Sequence, residues 1–578
     1  GTTGTFYTQF GLTMAVAVAI SLLNAMTLSP ALCALILRPR ADAASGEMPG
    51  FSDRFHAAFD RSFRRVQQKY LRGVSFLFRR KAIAVGSIVA ACGVLVWLMS
   101  VTKTGLVPQE DMGTINVGVQ TSPGSSLEET DRIMDEIEAA IRDIPQIQIY
   151  SRVTGKDTRH NQSSSAGSFS VRLKNWSERT KKGDDIASVM AEIYRRTDGI
   201  KTAQIRVSTT PMISGYGQSD GFELYVQDRK GGSVEDLLRY TRAFIDALNA
   251  RPEISRAYTT FDTKFPQYRV EVDAALCKRN GVSPADVLGS YSSNLNRFTK
   301  LYRVMVQASP EYRLDTEALN DLFVRNAAGG MSPLSQYLTL TKVYGSESLS
   351  RFNLFSAVAV YGAPAEGYSS GQAIRAIGEV SKSALPEGYG YEFGGMSREE
   401  ASTSNATTMV FIVCILFIYL ILCALYESLF IPFAVILAVP FGLAGSFVFA
   451  QLWGLENNIY MQTGLIMLIG LLAKTAILLT EYASDRRQQG MGIAAAAMSA
   501  AKARLRPILM TSLTMIFGML PLMFAQGVGA NGNISVGVGT VGGMLTGTLA
   551  LLFIVPALFI IFRYLQERFL PGRFRASE

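Results

Sequence analysis

Histidine is nearly absent from this 578-residue sequence, His56 and His160 being the only two. A Ser/His/Asp or Cys/His catalytic set, or a histidine-rich metal centre, therefore has almost nothing to draw on. Cysteine is equally sparse. Cys33, Cys92, Cys414 and Cys423 fall inside apolar runs and Cys277 stands alone in a polar region, so no intrachain disulfide framework is expected. No GxxxxGK[ST] phosphate cradle occurs, which argues against ATP as an energy source. The net charge of +9 comes without a basic tract interleaved with aromatics, so nucleic acid is not an expected partner. No cofactor is expected, and an enzyme that makes or breaks covalent bonds is poorly supported.

Apolarity is what the chain has in excess. Hydrophobic residues make up 48% of it, gathered in long runs. A spanning helix needs about 20 apolar residues. Seven runs qualify, at 10–37, 82–101, 406–425, 431–453, 460–482, 506–525 and 536–562. Lys and Arg near span ends set the orientation. The 38–81 connection carries 11 Lys/Arg against 4 Asp/Glu. Arg486, Arg487, Lys502 and Arg504 lie in or at 483–505, and Arg563, Arg568, Arg573 and Arg575 lie in the tail. Seven spans put all three basic segments on one face, the cytoplasmic one, and leave 102–405 outside, in the periplasm. The expected organisation is a span in 1–37, a cytoplasmic connection at 38–81, a span at 82–101, an external region at 102–405, a five-span bundle at 406–562 and a cytoplasmic tail at 563–578. The chain opens at Gly1 with no initiator methionine or signal, and is read as a fragment preceded by more chain.

Within the 38–81 connection, Phe51, Phe55, Phe59, Phe63, Val66, Tyr70 and Val74 mark one helical stripe, with Arg54, Arg61, Arg64, Arg65 and Lys69 elsewhere. This pattern predicts an amphipathic helix lying along lipid headgroups.

The external region repeats itself. INVGVQ (115–120), a serine-capped helical stretch and QIQIYSRV read as strand, helix, strand, and FELYVQ (222–227) begins the same series. SFSVRL (168–173) and AVAVYG (357–362) open two further copies. Periodicity switching from 2 to 3.6 and back is the βαβ signature, and four copies predict two split-βαβ (ferredoxin-like) subdomains. QYRVEVD at 267–273 starts another small α/β piece, within a docking subdomain placed at about 265–345. The fold class is thus a transmembrane helical bundle plus a large α+β region.

Lys474 sits deep in the 460–482 run, about eight residues, or roughly 12 Å, from its cytoplasmic end, too far for easy snorkelling. An intramembrane lysine marks a site with a partner. No run contains a carboxylate at depth, since Glu427 and Glu481 lie near span ends. The counter-charge is therefore expected upstream of Gly1, or the lysine is neutral. Gly539, Gly543 and Gly547 form a small-xxx-small stripe for close helix packing.

FYTQFGLTMAVAVAISLLNAMTLSPALCALIL (6–37), ALYESLFIPFAVILAVPFG (424–442), GLLAKTAILLTEYA (470–483), RLRPILMTSLTMIFGMLPL (504–522) and GVGTVGGMLTGTLALLFIVPALFI (537–560) resemble successive signatures of the resistance–nodulation–division (RND) family, in its AcrB-like hydrophobe/amphiphile efflux branch. By this resemblance the chain is the C-terminal half of such a transporter, lacking the N-terminal half. The resemblance implies a multi-pass protein of the bacterial inner membrane that exports amphiphilic small molecules such as drugs in exchange for protons. It also implies a homotrimer meeting a periplasmic adaptor protein and an outer-membrane channel. It assigns Lys474, Arg504 and Thr511 to the proton relay, whose two aspartates would lie upstream, and Phe222, Leu224 and Val226 to the substrate-binding strand. Two departures stand out. The stretch matching a phenylalanine-rich switch loop reads VTGKDTRHNQSSSAGSFSV (153–171), and the segment at 283–307 is about two helical turns short near 287–289. The rival readings are a heavy-metal exporter of the same family, though Met190, Met212, Met305 and Met331 are scattered, and a membrane scaffold or receptor that transports nothing.

Overall fold

In the computed structural model, residues 2–36, 51–108, 110–158, 162–181, 183–210, 221–288, 291–297, 300–305 and 315–569 are described, with 213, 216 and 309. The expectations about 37–50, the tip of the 153–171 stretch including His160, residue 289 and the tail beyond 569 lie outside the described residues.

Among the described residues seven helical segments are long and apolar enough to cross a membrane. The first is α1 (Thr2–Met26) with α2 (Leu28–Ile36), broken where Pro30 enters the chain. Then come the basic amphipathic α3 (Phe51–Arg79) and, one residue later, the apolar α4 (Lys81–Val101).

The extramembrane part begins with β1 (Thr114–Thr121), α5 (Leu127–Ile141), β2 (Ile147–Lys156), β3 (Gln162–Leu173), α6 (Ile186–Thr197) and β4 (Ala203–Thr209). Alternation along β1 sends Ile115, Val117 and Val119 to one face, where α5 and α6 cover them. Ser126 and Asp185 cap these helices through their side chains. The antiparallel sheet runs β2-β3-β1-β4, with Val117 opposite Phe169.

A second unit follows the same logic with β5 (Phe222–Asp228), α7 (Val234–Asn249) and β6 (Ile254–Tyr258). Before completing itself it gives out a smaller piece. There β7 (Phe265–Val272), α8 (Ala274–Arg279), α9 (Pro284–Leu288), the hairpin β8 (Tyr291–Arg297) and β9 (Lys300–Met305), β10 (Phe323–Arg325), β11 (Met331–Pro333) and β12 (Leu338–Gly345) follow in order. β7 pairs with β12, and Cys277, Val282, Val324 and Tyr337 form its small core. The chain returns through β13 (Ser350–Phe352), β14 (Phe355–Pro364), α10 (Ser370–Ala384) and β15 (Tyr389–Phe393). β15 and β14 flank β5, and β6 and β13 pair with β14. In the first sheet β1 lies between β3 and β4, and in the second β5 lies between β14 and β15.

The remaining helices are α11 (Gly395–Tyr426), α12 (Ile431–Ile436), α13 (Val439–Trp453), α14 (Ile459–Gln488), α15 (Ile493–Met519) and α16 (Ala530–Phe569). α16 is the central one, packed by α13, α14 and α15. The glycine stripe explains the closest approach. A Cβ on Gly547 would stand 3.1 Å from Gly442 Cα, and Ser446 on α13 donates to the Gly539 carbonyl at 2.6 Å. Pro432 and Pro440 start α12 and α13, while Pro507 and Pro556 sit inside α15 and α16.

The stripe on α3 does more than face lipid. Pro556 has no N–H to offer the Leu552 carbonyl one turn back. The Tyr70 hydroxyl donates to that carbonyl at 2.8 Å, and Tyr70 and Val74 are buried against the bundle. Phe59 and Val66 of the same helix stay exposed. The C-terminal half of α3 is therefore part of the bundle core, a correction to a helix that only lies along headgroups.

Candidate functional site: a lysine face in the bundle and a carboxyl joint at its outer end

Lys474 lies midway along α14. Ala473 and Thr475 on either side are buried, whereas Lys474 is exposed, on a face that the described helices leave open. Among the described residues no ion pair or hydrogen bond reaches its ammonium. Arg504, on the antiparallel neighbour α15, places its guanidinium carbon 5.0 Å from the centre of the Tyr482 ring, and the Tyr482 hydroxyl accepts a 2.8 Å bond from Arg486. The Arg504 Nε–H is buried and has no acceptor among the described residues.

The levels follow from helix rise. Arg504 is level with Tyr482, eight residues inward of Lys474. Thr511 stands seven residues outward of Arg504, about 10 Å at 1.5 Å per residue, which brings it level with Lys474. Its hydroxyl donates to the Pro507 and Ile508 carbonyls at 3.1 and 3.0 Å. Lys474 and Thr511 thus share one level on adjoining helices, with Arg504 about two turns inward. Chemically the set offers an ammonium that can hold or give up a proton, a hydroxyl that can pass one, and a permanent cation.

The substrate-strand residues are placed elsewhere. Phe222 is 3% exposed, and Leu224 and Val226 are fully buried. All three point toward α7 and α10 and pack on Phe244, Leu248 and Ile377. Strand alternation puts these residues in the core of the unit and Glu223, Tyr225 and Gln227 on the other face. Phe222→Ala should accordingly cost about 3–5 kcal/mol of stability in this unit, read as earlier thermal unfolding and faster proteolysis of the extramembrane part. A changed drug profile at undiminished stability would favour a ligand role for Phe222.

A second constellation had no motif to announce it. The segment Lys103–Leu106, just after α4, is spliced between bundle and α/β unit by backbone hydrogen bonds. Asn457 N–H donates to Lys103 C=O at 2.7 Å, Ile459 N–H to Leu106 C=O at 3.0 Å, and Gly371 N–H at the start of α10 to Thr104 C=O at 3.1 Å. Two carboxyls close the splice. Ser370 Oγ donates to Glu400 at 2.8 Å, and a Cβ on Gly105 would lie 2.5 Å from a Glu456 oxygen and 3.2 Å from Ser370 Oγ. Burial pushes the Glu400 carboxyl up to about 7; Ser370 opposes the rise and the neighbouring Glu456 adds to it. Burial likewise raises Glu456, against the pull of Lys103. Both line a cleft of about 580 Å³ with Glu366 and Glu110, the last of which accepts from the Asn531 and Gly532 amides at the start of α16. The one available sequence signal was position, since Glu456 is the acid of a short inter-span loop and Glu400 lies one to two turns before a span.

Seven membrane-length helices carrying two α/β sheets outside them define a polytopic membrane protein. The AcrB/AcrD/AcrF family profile matches residues 1–563, and the chain belongs to that family of RND efflux transporters of the inner membrane. Among curated relatives it is 34% identical over 573 residues to the multidrug/solvent efflux pump membrane transporter MepB of Pseudomonas putida, covering 97% of this chain and 54% of that protein. Identity is also 34% to the toluene efflux pump membrane transporter TtgB of the same species, with the same coverage. It is 31% to the multidrug resistance protein MdtF of Escherichia coli, over 98% of this chain and 55% of that protein. The chain spans about half the length of the curated relatives it matches.

Proposed function

We propose that this chain supplies the C-terminal half of a proton-driven exporter of amphiphilic small molecules, drugs and solvents among them. The observation that carries the reading is Lys474, an ammonium at membrane depth on an open face of α14, level with the Thr511 hydroxyl. Such a group is costly in hydrocarbon and is kept where its charge is used. In this reading Lys474 and Thr511 handle protons together with carboxylates upstream in the polypeptide, and Arg504 supplies a fixed positive charge about two turns inward. The two α/β units act as ferredoxin-like porter subdomains that open and close around substrate, and residues 265–345 dock an adaptor and an outer channel in a homotrimer. The names of the relatives, which speak of multidrug, solvent and toluene efflux, favour organic substrates over metal ions.

The test is substrate efflux from proteoliposomes holding the full-length polypeptide, driven by an imposed pH gradient. Transport that ignores the gradient would remove the proton-driven reading. Orientation is tested separately. Ser122→Cys in the turn after β1 and Gln488→Cys at the end of α14 are expected to label from opposite sides with an impermeant maleimide. Labelling of both from the outside alone would overturn the topology.

A further inference from the structure

We propose that the groove between α3 and the start of α15 is a binding site for the phosphate headgroup of an anionic phospholipid. Gln68, Arg72, Ser75 and Arg79 recur at intervals of three and four along α3 and so form one line on its surface. With Leu71 and Met498 they line a groove of about 560 Å³. Arg72 and Arg79 are exposed, and among the described residues neither is engaged in an ion pair. Seven residues separate them, about 10 Å along the helix. Two guanidinium forks at that spacing can converge on one phosphate or hold two neighbouring ones, with Ser75 and Gln68 supplying hydroxyl and amide donors between and beside them.

The charge around the groove has one sign. Residues 59–81 contain eight Lys/Arg and a single acid, Asp60. That acid already faces Arg506, at 3.5 Å. A phosphate entering the groove therefore meets no unengaged carboxylate among residues 59–81. The rest of the site selects a lipid over a free anion. Its floor is apolar, Phe76 beside it is 52% exposed, and Arg80 covers the Phe76 ring at 5.5 Å. Arg80 is also the one residue between α3 and the membrane-length α4, so the groove opens where the headgroup layer meets the hydrocarbon. Acyl chains leaving a bound phosphate would run directly onto the exposed apolar flank of α4, where Val85 and Val89 lie. Tyr70 and Val74, one helical face away, anchor α3 to the bundle and make the groove a fixed feature rather than a helix free to roll.

The full-length polypeptide, purified in mild detergent and exchanged into nanodiscs of equal phosphatidylglycerol and phosphatidylcholine, gives the test by native mass spectrometry of retained lipid. Wild type is expected to retain phosphatidylglycerol over phosphatidylcholine. The double variant Arg72→Gln/Arg79→Gln should lower that preference roughly 10- to 30-fold, as expected from losing two juxtamembrane charges. The charge-matched control Arg64→Gln/Arg65→Gln, on the same helix but outside the groove, should leave most of it. Equal loss in both doubles would replace the site with a diffuse basic surface. An undiminished preference in Arg72→Gln/Arg79→Gln would overturn it outright. In wild type alone, displacement of phosphatidylglycerol by 10 mM inorganic phosphate (a concentration chosen at roughly the millimolar scale of weak anion sites) would convert it to a free-anion site and defeat the lipid assignment. None of these readings depends on transport, so they stand or fall apart from the proposed export.

Discussion

Lys474→Met in the full-length polypeptide is expected to reach the membrane and assemble normally, yet to lose pH-gradient-driven efflux by at least about 100-fold. Methionine keeps the unbranched length of lysine and its apolar contacts while removing the charge. Lys474 is exposed in the described bundle and contributes no ion pair to it, so helix packing has little to lose. A lysine near a span centre disfavours insertion by about 2.5–3.5 kcal/mol. Its removal should therefore leave the folded protein as stable or more so.

The functional loss follows from the proposed role. A cation in a low-dielectric layer favours the ionised form of a neighbouring acid and loses that hold when the acid protonates. Replacing it with a neutral group removes the difference between the two states that a proton must drive. Thr511→Ala and Arg504→Ala should reduce transport less. Thr511 already has carbonyl partners on its own helix, and Arg504 lies about two turns inward and is steadied by Tyr482. The measurement is initial efflux rate in proteoliposomes at matched protein and matched oligomer content. Wild-type rates in Lys474→Met would sink the relay and leave the lysine a tolerated oddity of the bundle.

How much of this was legible beforehand depends on the range of the interactions involved. Membrane-length helices are written in local composition, and the runs starting near 82 and 431 match α4 and the joined α12–α13 almost to the residue. The repeated strand–helix–strand pattern also survives, because period-2 and period-3.6 alternation is set by which face is buried. Less legible is the facing of β5, which depends on neighbours far along the chain: α7 and α10 cover the face bearing Phe222, Leu224 and Val226. The docking of Tyr70 on Leu552 was invisible for the same reason, since a proline 486 positions later creates the orphan carbonyl it satisfies. Lys474 was readable because a charge in an apolar run is anomalous by itself. Glu400 and Glu456 were not, because acids outside spans are ordinary until folding buries them together.

That carboxyl joint is expected to make contact between the bundle and the second α/β unit pH-dependent, tightest in acid and loosening toward pH 7. In an opened, solvated joint Glu400 would titrate near the ordinary carboxylate value of about 4.3. Closed, it titrates at about 7, because burial and the nearby Glu456 disfavour its charge more than Ser370 supports it. The closed state therefore holds more protons than the open one between those two values, and rising pH favours opening. The full advantage of closure is present below about pH 4.3, falls away as pH climbs to about 7, and changes little above. A difference of this size corresponds to about 3–4 kcal/mol at most, before Lys103 and local rearrangement reduce it. The groups that face the pair are Ser370 from α10, Lys103 from the linker, and Glu110 and Glu366 across the cleft. Hydrogen exchange of the amides at 103–106, 368–372 and 455–459, corrected for intrinsic rates, should show protection dropping between pH 5 and 7.5 in the wild type. Glu400→Gln preserves the acceptor for Ser370 and has no charge to gain, so protection should stay high across that range. Glu456→Gln removes the repelling neighbour and should shift the midpoint downward while keeping the step. A pH step that persists unchanged in Glu400→Gln, or wild-type protection that is flat from pH 5 to 7.5, would assign these buried acids to packing alone.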